Sequence, residues 1–158
     1  MKKLLLLAAL VGSAAQAQPA SRLDAPAAQA IVQGCVTHST GRNQSHAIVV
    51  VDSGGHVIAS LRMDGNSYGI MDFALAKARA SAAWGVATAR GEEAVRNTPG
   101  FADAPHLVTV PGGVPIFSAD GRTRLGAVGV SGEPPPDDVA CAQAGIAAAG
   151  LRPGPAPR

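Results

Sequence analysis

Aromatic side chains are scarce in this chain of 158 residues: three Phe, one Trp and one Tyr. It also lacks an excess of either charge. Its 13 basic residues face 11 acidic ones, and the surplus pair, Lys2 and Lys3, sits in the N-terminal stretch MKKLLLLAALVGSAAQAQ. With neither a basic footprint nor stacking platforms, no nucleic-acid partner is expected. Catalytic and metal motifs are missing too. There is no Cys-x-x-Cys-His for covalent heme attachment, and none of His38, His46, His56 and His106 belongs to a His-x-x-x-His pair. Ser131 lies in Gly-Val-Ser-Gly rather than a nucleophile elbow, and there is no phosphate loop or dinucleotide fingerprint. The sequence therefore points away from an enzyme. Beyond the N-terminal stretch it contains no membrane-spanning apolar run.

What is present begins with that stretch. Two lysines, a short apolar run and Ala15-Gln16-Ala17 make a secretory signal peptide over residues 1–17, so the protein is expected in the periplasm or outside the cell. Residues 18–150 suit one domain, and the tail LRPGPAPR, 151–158, reads as disordered. In an oxidising compartment Cys35 and Cys141 are either a disulfide between the first and last helices or two buried thiols.

The periodicity predicts a helix over 26–37 and a buried strand in AIVVVD. Asp52-Ser53-Gly54-Gly55 supplies the turn into a returning strand that ends at Arg62, Met63 and Asp64. In that arm Val57, Ala59, Leu61 and Met63 alternate with His56, Ile58, Ser60 and Arg62, so Met63 reads as core rather than as an iron ligand. A long helix is predicted over 69–90, with Phe73, Lys77, Ala80 and Trp84 on one stripe and small residues on another. A short strand over 107–110 and two strands joined by a turn at 119–122 follow. Pro115 favours an edge or irregular position for its strand, and a last helix runs over 138–149, capped by Asp137. The order αββα-βββα gives an α+β class with a largely antiparallel sheet of about five strands flanked by helices. Small side chains make oligomeric burial an expected source of stability.

The stretches VVDSGGHVIASLRMDG, ALAKARASA, PGGVPIF and LGAVGVSGEPPPDD, in this order, resemble the GlcG/HbpS heme-binding family, which is related to the C-terminal domain of PduO-type proteins. The resemblance spans nearly all of the chain after the signal. It implies an α+β domain that assembles with copies of itself and binds heme. The positions matching the family's segments are Asp52 to Gly55, Arg62 to Gly65, Lys77-Ala78, Gly112-Gly113, and Ser131-Gly132 with Asp138. Pro134, Pro135 and Pro136 depart from the family pattern near the last of these.

Lys77 is the only lysine outside the signal and lies between Phe73 and Trp84 on an apolar stripe. Either its ammonium snorkels to water, or it pairs with Asp52, Asp64 or an acidic ligand. Arg62 and Asp64 either brace the turn after the hairpin or meet a heme propionate or other acidic small molecule. Gly112 and Gly113 either allow close approach of a ligand or a partner backbone or form a plain turn. His38 and His46, flanking a polar loop, are the expected metal-ligand candidates. The leading expectation is an exported, homo-oligomeric binder of heme or a related tetrapyrrole, with storage, sensing or scavenging as roles. The alternatives are a structural or interaction module of the cell envelope and an accessory protein for a small acidic metabolite.

Overall fold

The computed structural model describes residues 22–157, and the expected signal peptide lies outside them. Helix α1 (Ala25–Thr40) starts where the Asp24 carboxylate accepts the Ala27 amide at 2.9 Å, with Pro26 inside the first turn. Strands β1 (Ala47–Asp52) and β2 (Val57–Arg62) form the hairpin, followed by α2 (Tyr68–Trp84). A single 3₁₀ turn (Thr88–Arg90), the short α3 (Gly91–Asn97) and a second 3₁₀ turn (Phe101–Asp103) lead to β3 (Gly113–Phe117), β4 (Arg124–Ser131) and α4 (Pro135–Ala148).

The class is α+β, and the sheet has four strands in the order β2-β1-β4-β3, all antiparallel. The fifth strand expected over 107–110 does not form. Pro105 and Pro111 bracket that segment, and the Val110 carbonyl accepts the Thr88 hydroxyl at 2.8 Å instead of a strand partner. Pro115 lies on the edge strand β3, where its missing N–H costs no ladder bond to a second neighbour. Helix α2 stops at Trp84 rather than at residue 90. Gly85 takes φ 71°, a left-handed conformation, and its amide closes the helix on the Ser81 carbonyl at 2.9 Å. The Trp84 indole then donates to the Pro105 carbonyl at 3.1 Å, fastening the connecting loop to the end of α2.

Helices α1 and α4 cover one face of the sheet over Ile31, Ile48, Val50, Ile116, Val128, Val130 and Ile146. Each such side chain contributes about 1.5–3 kcal/mol on burial. On the other face α2 packs through Ala74, Ala78 and Ala82 against Ala47, Val49, Val51 and Ala127. Cys35 and Cys141 form a disulfide that ties α1 to α4, with Cα atoms 4.6 Å apart. A bulge on β2, where Ile58 is the extra residue opposite the Val50–Val51 step of β1, breaks the simple alternation expected for that strand. Ala59 packs beneath α1, whereas Val57 is 47% exposed and Leu61 40%.

Two further expectations change at the C-terminal end. Pro134 takes the position before α4, with Pro135 and Pro136 in its first turn, so Asp137 is not the cap. Proline's fixed φ and missing N–H suit it to that turn, and Asp138 is consequently carried inside the helix. The segment 151–157 is not a loose tail. Arg152 exchanges both backbone bonds with Phe117, at 2.8 and 3.0 Å, and the Ala156 amide donates to the Gly121 carbonyl at 3.1 Å. Backbone pairing with the end of β3 supplies what its side chains lack.

Candidate functional site

Lys77 neither reaches water nor meets Asp52 or Asp64. It is 1% exposed, and its Nζ donates to Asp138 Oδ2 at 2.8 Å and to the Val130 carbonyl at 3.0 Å. The Phe73 ring centroid lies 4.7 Å from the ammonium. The ion pair joins the layers on opposite faces of the sheet, because α2 lies on one side and α4 on the other. Passage past the β3 edge depends on Gly112 and Gly113. A Cβ on Gly112 would stand 2.8 Å from Lys77 Nζ and 2.5 Å from the Val130 carbonyl oxygen, and its φ of 127° disfavours any side chain. The approach these glycines permit is that of α2 itself.

Asp138 is itself buried, and its other oxygen accepts the Glu133 amide at 3.2 Å. Burial pushes its carboxyl above the usual carboxylate range, while the Lys77 ammonium and the Glu133 amide pull in the opposite direction. His46 is fully buried at the start of β1, with Nε2 3.6 Å from Asp138 Oδ1, beyond hydrogen-bond reach. Its Nδ1 lies 2.8 Å from the Ser39 hydroxyl, which donates to the Cys35 carbonyl at 2.8 Å. A hydroxyl has one hydrogen to give, so Nδ1–H donates to Ser39 Oγ and Nε2 keeps its lone pair. Burial lowers the His46 pKa, against the opposing pull of Asp138 and Glu133. Ser39, His46 and Asp138 thus stand in a row, yet all three are buried and the hydroxyl hydrogen is already committed. The row presents no nucleophile.

The other expected site residues lie apart from this cluster. Arg62 is exposed at the end of β2, where its guanidinium donates to the Asn66 carbonyl and braces the turn. Asp64 is exposed, and its backbone carbonyl accepts the Ser45 hydroxyl at 2.6 Å. Met63 is half-buried beneath them, its Sδ accepting the His46 amide at 3.4 Å. His38 is half-buried in the last turn of α1, and its Nε2 is covered and unpartnered among the described residues. Burial and nearby Arg42 lower its pKa, against Asp137. The structure therefore brings Lys77, Gly112 and Gly113 together with His46, and leaves Arg62, Asp64 and His38 outside.

Sequence reasoning missed Asp138 as the partner of Lys77. The available signal was a pair of adjacent acids behind three prolines, with no cation nearby to balance them. Among the described residues no group of three or more His, Cys, Asp or Glu is placed to hold a metal ion, and no helix is long and apolar enough to cross a membrane.

Comparison with known proteins bears on this arrangement. Residues 23–147 match the family described as "Haem degrading protein HbpS-like". Protein GlcG of Escherichia coli (strain K12) is 38% identical over 105 residues, covering 66% of this chain and 77% of that protein. A crystal structure of a double mutant of Streptomyces reticuli HbpS superimposes with a TM-score of 0.72 at 26% identity, covering 92% of this chain and 97% of that one. A crystal structure described as a PduOC:heme complex superimposes with a TM-score of 0.76 at 21% identity, covering 84% of this chain and 99% of that one, a likeness of fold. The match of residues 23–147 takes in every helix and strand from α1 to β4 and nearly all of α4, and on that ground the chain belongs to the HbpS-like family.

Proposed function

We propose that this protein is an exported, homo-oligomeric binder of heme or a related tetrapyrrole, serving storage, sensing or scavenging. The observation that carries the reading is family membership across residues 23–147, which spans nearly all of the described domain. The relative described as a heme complex shares the fold and supports the same ligand class. The Cys35–Cys141 disulfide supports a periplasmic or extracellular setting, where such bonds persist. Exposed Leu61, Tyr68, Trp84 and Val86 support association with further copies of the chain.

The residues present fit heme in one respect and not in another. Lys77 is committed to Asp138, and His46 is enclosed, so neither can meet a macrocycle. His56 and His106 are exposed imidazoles, and a heme carries four nitrogen donors of its own, so the protein need supply only one or two. Heme, when bound, supplies an iron centre and two carboxylates for a protein cation to meet.

Titration of the purified full chain with hemin tests the reading: a Soret band that saturates at a fixed stoichiometry is the expected result. No saturable band in either oxidation state of the iron would overturn it. The family description names heme degradation, and the same sample, given a reductant and oxygen, separates the two roles. A persistent band marks a binder; its decay with release of iron marks turnover.

A further inference from the structure

The turn Asp52-Ser53-Gly54-Gly55-His56, at the end of the sheet, holds a histidine in a particular way. Asp52 Oδ1 accepts the amides of Gly54 and His56, each at 2.9 Å, and these bonds hold the carboxyl below its usual range. The His56 Nδ1 lies 3.3 Å from both carboxylate oxygens. A carboxylate only accepts, so Nδ1 carries the hydrogen and Nε2 keeps a lone pair. The His56 side chain is 82% exposed, leaving the ring open to solvent. A histidine whose second nitrogen is fixed by a carboxylate is the arrangement that metal-ligating histidines adopt, because it sets the tautomer and raises ligand basicity.

A cation stands beside it. Arg79, on the outer face of α2, donates through Nε to the Gly55 carbonyl at 3.3 Å, and its two terminal nitrogens have no hydrogen-bond partner among the described residues. His56 and Arg79 line a cavity of about 320 Å³ together with Ala83 and His106. A second cavity of about 370 Å³ shares Arg79 and His106 and adds the apolar walls of Leu75, Ala76, Leu107 and Val108, with the Asp72 carboxylate at its rim. The larger apolar groove, about 450 Å³ beside Trp84 and Phe101, contains no imidazole.

We propose that His56 is the axial iron ligand of heme seated on the outer face of α2, oriented by Asp52, with Arg79 pairing a propionate. This rests on the heme reading above and places the site on the opposite side of α2 from the buried Lys77 cluster. Sequence reasoning passed over His56 in favour of His38 and His46. Its signal was the Asp four residues earlier across a Gly-Gly turn.

The test is hemin titration of the full chain carrying His56→Ala, His106→Ala, His38→Ala, Asp52→Asn or Arg79→Gln, followed by Soret position and electron paramagnetic resonance. His56→Ala should lose the imidazole-ligated ferric spectrum and roughly tenfold or more in affinity, and free imidazole should restore the spectrum. Asp52→Asn should keep the ligand and weaken binding. Arg79→Gln should weaken hemin but not its dimethyl ester, which has no propionate charge. His38→Ala should match the parent. An unchanged spectrum in His56→Ala, or loss of it in His38→Ala alone, overturns the proposal while leaving the heme reading intact. Absence of any saturable spectrum in the parent chain overturns both.

Discussion

Removing one partner of the Lys77–Asp138 pair exposes how much the fold depends on it. Both side chains are almost fully buried, and the pair bridges α2 and α4 at 2.8 Å. Lys77→Met leaves a carboxylate with only the Glu133 amide and a neutral imidazole nearby, and Asp138→Leu leaves an ammonium with a carbonyl and an aromatic ring. Each single change should cost about 3–5 kcal/mol, the penalty for an uncompensated buried charge. The double variant removes both charges, keeps similar shapes, and should be more stable than either single variant. Urea unfolding at pH 7 with the disulfide intact measures all four proteins as a double-mutant cycle. Added salt should change the parent's stability little, since a buried pair is weakly screened. The reasoning is refuted if each single change costs less than about 1 kcal/mol and the two add, as an exposed pair would behave.

Two other outcomes follow from the same cluster and its surroundings. The lowered His46 pKa means that the folded state resists a proton the unfolded chain accepts. Its contribution is therefore complete above pH 6.5 and declines as pH falls below that value; Asp138, with a raised pKa, acts in the opposite sense just above 3.8. Thermal melts from pH 7.5 to 5 should show a falling midpoint, and a His46→Gln variant should flatten the slope. Cys35 and Cys141 are 106 residues apart, so replacing both with Ser should cost about 4–5 kcal/mol by the loop-entropy relation, read from the urea midpoint.

Much of the architecture can be read in local patterns, and the exceptions have physical causes. AIVVVD is apolar on both sides because β1 lies between α1 and α2, and it forms β1 over those residues. The resemblance to the HbpS-like family was also visible in the sequence. The strand expected over 107–110 failed because its proline brackets and the Thr88 hydroxyl outweigh its apolar content. The bulge at Ile58 of β2 could not be anticipated, since an extra residue in a ladder leaves no mark in alternation. Lys77 was conspicuous as a cation on an apolar stripe, but its partner lies 61 residues away across the sheet. Only the three-dimensional packing brings the two together. His56 read as one of the alternating residues of the returning strand, and its role depends on where Asp52 and Arg79 come to rest.

Trp84 is the chain's one tryptophan, and its indole is hydrogen-bonded to the Pro105 carbonyl while the side chain remains partly open. The protein thereby carries a built-in fluorescent gauge, tuned to the tether between the end of α2 and the segment that bears His106. A red shift in its emission without loss of far-ultraviolet dichroism would register release of that tether alone, so loosening at the loop can be followed separately from melting of the sheet.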